Sequence, residues 1–297
     1  MFWYKMPDGT KNFGDDLGPY MVSKLTGMEI CYVPIVSSPL KTILLYLKGL
    51  SRGKYSPGEF KNILGSIRQK RILVTIGSII GYIDSPTADV WGTGTMFSDM
   101  NINKANFYAV RGKYTQARLK ALGYKAPDAL GDPALLLPLI LESGREKKYK
   151  LGIIPHYTHY TEVKSKYAGE NILIINLLDD IEKVVEDITS CEQTISTSLH
   201  GIIVSHAYGI PCLWYNMSET RLGGDDVKFR DYFSSVEIEE YKPFKLNELV
   251  IDDIISNIKN NLSKSTIQSD LNIIQEKLLK SAPFPVLDKY LKKLNNG

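Results

Sequence analysis

The chain has 297 residues, 43% of them hydrophobic and 23% charged, a globular composition that excludes a disordered or fibrous polymer. The 36 Lys and Arg stand against 33 Asp and Glu, and a net charge of +3 is too balanced to argue for nucleic acid. The longest apolar stretches, such as Ile72–Ile80, fall well short of the ~18 residues a bilayer span needs.

From the N-terminus, Phe2–Tyr4 reads as a short apolar start before a Gly-rich turn. Leu17, Met21, Val22 and Leu25 share one face of a helix predicted over Asp15–Leu25, stopped by Thr26-Gly27. Met28–Val33 reads as a strand, and Ile72–Ile76 as a buried parallel strand entering a loop at Gly77-Ser78. Phe107–Val110 is a further strand, followed by a helix through Leu122 that Gly123 caps. Glu142–Lys150 is a charged interruption and marks a domain boundary. Beyond it, strands at Leu151–Pro155, Ile172–Leu177, Thr194–Ser196 and Cys212–Tyr215 alternate with helices at Asp179–Cys191 and Leu199–Tyr208. After Phe244 the pattern is helical.

This alternation predicts an α/β protein with two Rossmann-like domains, parallel sheets facing across a cleft, and C-terminal helices. The boundaries are 1–145, 146–265 and 266–297. Ligands of such folds collect at the carboxyl ends of the strands, so the cleft is the expected site. MFWYKMPDGT lacks the apolar core of a signal peptide, and Cys31, Cys191 and Cys212 are odd in number and widely spaced. Both point to a reducing cytoplasm, with neither a disulfide frame nor a zinc site.

Thr197-Ser198-Leu199-His200-Gly201 lies between a predicted strand and helix. Ser198 is placed to cap that helix, whose first amides would receive an anion, and His200 falls in its first turn facing the cleft. His206, six residues on and roughly 240° around the helix, is read as packing. A capping Ser beside a structural His is the plainer alternative.

Several segments together resemble the polysaccharide pyruvyl transferase family: Asn12-Phe13-Gly14-Asp15-Asp16-Leu17, Gly77-Ser78-Ile79-Ile80, Trp91-Gly92-Thr93-Gly94, Val110-Arg111-Gly112, Leu130-Gly131-Asp132-Pro133 and Ser198-Leu199-His200-Gly201. They follow the family's order from residue 12 to about residue 231. The resemblance implies a fold similar to the GT-B glycosyltransferases, with the acceptor on the first domain and the donor on the second. It also implies transfer of the enolpyruvyl carbons of phosphoenolpyruvate onto a sugar, giving a cyclic pyruvate ketal.

That reaction needs cations and helix-end amides for a carboxylate and a phosphate, an acid for the methylene carbon, and a base for the sugar hydroxyl; no metal is required in principle. Arg111 is expected to fork onto an anion, its alternatives being a solvated arginine or an interdomain salt bridge. His200 is the acid or an anion contact, because imidazole titrates near neutral pH. Lys228 is the better phosphate candidate of the pair Lys228 and Arg230, with Arg221 a weaker rival. Asp15 or Asp16 touches acceptor hydroxyls or removes a proton, although carboxylates suit a helix start whatever the function. Gly14, Gly77, Ser78, Trp91, Gly92, Ser198, Leu199 and Gly201 are expected around the substrates. His156 is expected as a cleft contact, and His159 at the surface. Gly223-Gly224-Asp225-Asp226 resembles a metal loop, but adjacent aspartates in a turn are more often solvated.

Between residues 41 and 71, Lys41, Lys48, Arg52, Lys54, Lys61, Arg68, Lys70 and Arg71 stand against Glu59 alone, around the apolar run Ile43–Leu47. The bland reading is a solvated face. The sharper one is contact with a membrane surface, at ~1 kcal/mol per basic residue near anionic lipid, which suits a lipid-linked acceptor at the inner face of the membrane. Two other functions stay open: a nucleotide-sugar glycosyltransferase of the same architecture, and a non-catalytic carbohydrate-binding protein of the pathway.

Overall fold

A computed structural model describes residues 1–6, 8–33, 39–53, 55–60, 71–142, 146–217, 225–246 and 250–295. Helix α1 (Phe13–Thr26) forms where the apolar spacing predicts it. The Asn12 side chain accepts from the Gly14 N–H at its start, and Gly27 ends it in the left-handed region at φ 71°. Leu17, Met21, Val22 and Leu25 are its buried stripe. Met28–Val33, expected as a strand, forms none. Its backbone meets Met1 through the Val33 N–H and the Cys31 carbonyl rather than along a ladder. Helix α2 (Pro39–Leu50) follows.

The first sheet is built of β1 (Leu73–Val74), β2 (Asp89–Trp91), β3 (Asn106–Val110) and β4 (Ala129–Leu130), side by side in chain order and all parallel. Helix α3 (Lys113–Ala121) connects β3 to β4, and a 3₁₀ turn (Pro133–Leu136) leads from β4 into the short α4 (Leu137–Ile140).

The second sheet has the order β6-β5-β7-β8-β9 and is also parallel, with β5 (Leu151–Ile154), β6 (Ile172–Ile174), β7 (Thr194–Ser196), β8 (Cys212–Asn216) and β9 (Phe244–Lys245). Between these run α5 (Tyr160–Tyr167), α6 (Ile181–Thr189), α7 (Leu199–Ala207) and α8 (Val227–Ser235). β5 and β7 have no exposed residue, as expected of parallel strands covered on both faces. Helices α9 (Ile251–Asn260), α10 (Leu262–Ser265), α11 (Leu271–Lys280) and α12 (Asp288–Asn295) complete the described chain.

The protein is therefore mixed α/β with two parallel sheets. The C-terminal helix α11 packs on β4 and the 3₁₀ turn, where Trp91 Nε1 donates to the Leu278 carbonyl at 3.0 Å and Gln275 Nε2 to that of Leu135 at 2.7 Å. At the other end the Phe13 N–H donates to the Leu177 carbonyl at 2.9 Å. One apolar cluster accordingly runs from Leu17 and Met21 through Trp91 and Leu135 to Ile202 and Phe229. Among the described residues no helix is long and apolar enough to cross a membrane.

Candidate active site

A cavity of about 440 Å³ opens where loops from both sheets meet. The loop after β1 brings Gly77, Ser78 and Ile79, that after β5 brings His156 and Tyr157, and that after β7 brings Ser198, Leu199 and His200. Asn12 and Asp15 reach in from the start of α1 and Lys228 from α8. Tyr4, Met6, Tyr82, Met96 and Leu177 complete the wall. Strand carboxyl ends are where α/β sheets expose backbone and side chains together, so the placement follows from the topology.

His200 sits in the first turn of α7 with its side chain 13% exposed. Its ring packs so closely on α1 that a Cβ built on Gly14 would lie 2.2 Å from Nδ1. Gly14 is thus buried beside the site and makes room for the imidazole. On the other side, His200 Nε2 lies 3.9 Å from Oδ2 of Asp132, and both atoms are buried without a hydrogen-bond partner. Burial first, then the Arg111 and Lys228 charges, push the His200 pKa down to about 3. Burial pushes Asp132 up to about 6, against the pull of the Ala134 N–H and Arg111. Near neutral pH the pair is a neutral imidazole facing a carboxylate. Ser198 occupies the N-cap position of α7, but its side chain makes no capping bond; Ser196 Oγ instead accepts from the Ser198 N–H at 2.9 Å.

Asp15 is held up to about 7 by burial first and then by the Asp16 charge. A carboxyl that stays half-protonated at neutral pH inside a cavity has the properties of an acid–base group. Asp16 is also raised by burial, but its Oδ2 accepts from the Asn12 N–H at 3.2 Å and its side chain lines an adjoining depression rather than the main cavity.

Arg111 does not reach the cavity. It is completely buried, with Nε donating to Asp231 Oδ2 at 3.0 Å, Nη1 to Ser78 Oγ at 2.7 Å and Nη2 to the Thr95 carbonyl at 2.6 Å. Asp231 also accepts from the N–H and hydroxyl of Thr115. The expected fork onto a substrate anion gives way to the salt-bridge alternative, because Asp231 claims the guanidinium first. What Arg111 presents to the cavity is the oriented hydroxyl of Ser78.

Lys228 lines the cavity, with its pKa lowered by burial and by Arg111. His156 lines it too, with burial, Lys228 and His159 lowering its pKa to about 4. His159, expected at the surface, is buried, its ring 6.1 Å from that of His156. Arg230 turns outward over the Tyr114 ring at 5.3 Å and makes no wall of the cavity. Asp225 accepts from the N–H and hydroxyl of Ser98, and no group of three candidate metal ligands occurs among the described residues. Arg221, Gly223 and Gly224 lie outside the described residues.

Trp91 and Gly92, expected at the substrates, serve packing. Trp91 is buried against α11, and Gly92 has φ 87° with Pro133 Cδ only 2.1 Å from where a Cβ would stand. Gly201 likewise lets α7 approach β7, since a Cβ there would meet Ser196 Oγ at 2.4 Å. His206 is packing as expected: Nε2 donates to the Cys212 carbonyl and Nδ1 accepts from the Tyr232 hydroxyl, both at 3.0 Å. Sequence reasoning missed Asp132 and Asp231 as site residues, as well as Tyr4, Tyr82 and Tyr157.

The cavity at the strand ends of the two parallel sheets thus brings together the Asp15 carboxyl, His156, His200 and Lys228. The family model for polysaccharide pyruvyl transferase matches residues 92–219, a span that includes Arg111, Asp132 and His200. An uncharacterised protein of Acanthamoeba polyphaga mimivirus is 34% identical over 218 residues, covering 68% of this chain and 72% of that protein. No solved structure matches. The chain belongs to the polysaccharide pyruvyl transferase family.

Proposed function

We propose that the protein transfers the enolpyruvyl group of phosphoenolpyruvate to a pair of hydroxyls on one sugar, forming a pyruvate ketal during synthesis of a surface polysaccharide. The observation that carries this reading is the meeting of Asp15, His200 and Lys228 in one cavity. Lys228 and the first turn of α7 hold the donor's anionic groups. Asp15 protonates the methylene carbon, which becomes the methyl group, while a sugar hydroxyl adds to the neighbouring carbon and gives up its proton to His200. The second hydroxyl then displaces phosphate from that carbon, closing the ketal; its proton leaves with the phosphate. His156 and the Arg111-held Ser78 are further donor contacts. The two sheets serve as GT-B-like halves, with the acceptor approaching from α1 and the donor from α7 and α8. Lys228 and the helix end meet the phosphate charge, so activity should persist in a chelator.

The acceptor side has its own room. A depression of about 430 Å³ shares Tyr4, Met6, Asn12 and Asp15 with the main cavity and adds Thr10, Lys11, Asp16, Tyr55 and Ser56. Its wall continues through Gly53 to α2, where Leu40, Leu44 and Leu47 fall on one helical face and are 74%, 64% and 51% exposed. Beside them stand Lys48 and Arg52, both exposed. An apolar stripe flanked by cations suits the surface of an anionic membrane, so a lipid-linked sugar could pass from bilayer to Asp15 along this path. Of the rest of the basic segment, Arg71 is paired with Asp89 at 2.8 Å rather than free for a membrane, and Lys54 and 61–70 lie outside the described residues.

Incubation of the purified protein with phosphoenolpyruvate and candidate lipid-linked glycans, read by mass spectrometry, tests the reaction. Pyruvylated product with matching phosphate release is expected. Consumption of a UDP-sugar in place of phosphoenolpyruvate would overturn the reading in favour of a glycosyltransferase.

A further inference from the structure

Asp132 has two carboxylate oxygens in different circumstances. The residue is completely buried at the end of β4, where Oδ1 accepts from the Ala134 N–H at 3.0 Å and caps the 3₁₀ turn. Oδ2 has no hydrogen-bond partner, and the nearest imidazole nitrogen, His200 Nε2, has none either. They stand 3.9 Å apart. Two buried polar atoms left unpaired are costly, and closing the gap by about 1 Å would satisfy both with one charge-assisted bond. The ring is already confined, because Gly14 backs its Nδ1 edge so closely that no side chain fits between. That edge faces α1, whose Asn12 and Asp15 line the cavity.

We infer that Asp132 is a positioning residue that holds His200 as the Nε2–H tautomer and so leaves the lone pair on Nδ1, the ring nitrogen that is not among the fully buried unpaired atoms. The inference rests on the proposed transfer site and assigns its histidine one orientation of donor and acceptor. Nε2–H donates to Asp132; Nδ1 takes the proton of the sugar hydroxyl; the imidazolium that results faces a carboxylate. Arg111 and Lys228 bear on His200 from the other elements and oppose its protonation, and Asp231 and Arg111 bear on Asp132. Drawn into contact with Nε2–H, the Asp132 carboxylate would offset the Arg111 and Lys228 charges that oppose protonation of His200.

Substitution of Asp132 by Asn makes the inference sharp. The amide oxygen is an acceptor and keeps the Ala134 N–H, which puts the NH₂ group where Oδ2 was. A donor in that place requires a lone pair on Nε2, so the tautomer of His200 must invert to Nδ1–H. The experiment is nitrogen-15 NMR of the four imidazoles, in the wild-type protein and in Asp132→Asn at a pH above 7. The wild type is expected to show Nε2 protonated and Nδ1 bare at His200, and the variant the reverse. His206, whose Nε2–H is fixed by the Cys212 carbonyl, should be unchanged in both and serves as the internal reference. Turnover of the variant should fall on the order of a hundredfold, with the KM for phosphoenolpyruvate within about threefold of wild type. An Nδ1–H tautomer at His200 in the wild type overturns the inference, and that spectrum is decisive even if the variant does not fold. An unchanged Nε2–H in a folded variant overturns it too. The NMR result is independent of turnover, so inversion in a protein that transfers no pyruvyl group would uphold the positioning role while the transfer reading fails.

Discussion

Two buried ionic clusters lie near the cavity, and they are finished to different degrees. In the first, Arg111, Asp231, Thr115, Ser78 and the Thr95 carbonyl satisfy one another at 2.6–3.0 Å. In the second, Asp132 and His200 face each other at 3.9 Å with both atoms unpaired. A satisfied network in a low-dielectric interior rigidifies what it touches, whereas an unfinished pair keeps its bonding capacity for another state. On the proposed function the difference separates scaffold from chemistry: Arg111 holds the loop that carries Ser78, and His200 is the proposed proton acceptor.

The most damaging way to break the comparison is Asp231→Ala, which leaves Arg111 as an unpaired buried charge. The loss should be about 3–5 kcal/mol, lowering the Tm by on the order of 10 °C in a thermal melt. A melt within a degree or two of wild type would show that the first cluster is not scaffold. His200→Ala should behave in the opposite way. Turnover should fall a hundredfold or more, while the melt hardly moves, because the substitution removes a polar atom that had no partner. Near wild-type turnover in a folded His200→Ala protein would remove His200 from the chemistry.

Asp15 sharpens the comparison through pH. The folded protein keeps the Asp15 proton up to about 7, whereas an unfolded chain releases it near 3.8. Between those values the folded state binds more protons, so Asp15 costs stability progressively as pH rises through that window. Asp15→Asn removes the cost. Its Tm relative to wild type should climb as pH rises from about 4 and level off above about 7, at a gain of about 1–2 kcal/mol once partial exposure is discounted. Transfer should be lost at every pH. A Tm difference that does not vary with pH would contradict the raised pKa.

These clusters also mark where the sequence was readable. Helix α1 could be read because a capping Asn12, a 3.6-residue apolar stripe and Gly27 agree. The β7–α7 turn could be read because a β-branched run breaks into Ser198-Leu199-His200-Gly201. β2 and β4 left no periodic signal, having three and two residues. At the site, Asp15, Ser78, His200 and Lys228 were legible as polar groups at strand and helix ends. Asp132 and Asp231 were not, since an aspartate before a turn or within a helix looks solvated until its burial is known. Arg111 was placed correctly but misread, because its partner Asp231 lies 120 residues away. Trp91 and Gly92 looked like substrate contacts when their conformations instead answer to Leu278 and Pro133.

The smallest expected effect concerns α2. Replacing Leu44 with Ser and Lys48 with Gln on α2 should weaken sedimentation with anionic vesicles by roughly tenfold, at ~1 kcal/mol for the charge and about half as much for a partly inserted apolar contact. Turnover of a short soluble acceptor should not change. Equal loss on both acceptors would place α2 in the fold or the site rather than at a membrane.

The central claim is that the cavity of Asp15, His200 and Lys228 carries the transfer while the Arg111–Asp231 cluster only holds it in shape. The most direct measurement follows phosphoenolpyruvate, carbon-13 labelled at its central carbon, by carbon and phosphorus NMR in the presence of acceptor, comparing wild type with folded His200→Ala. The account predicts a ketal carbon and inorganic phosphate growing together in the wild type, and both slowed on the order of a hundredfold in the variant. Ketal formation at the wild-type rate in His200→Ala would contradict it.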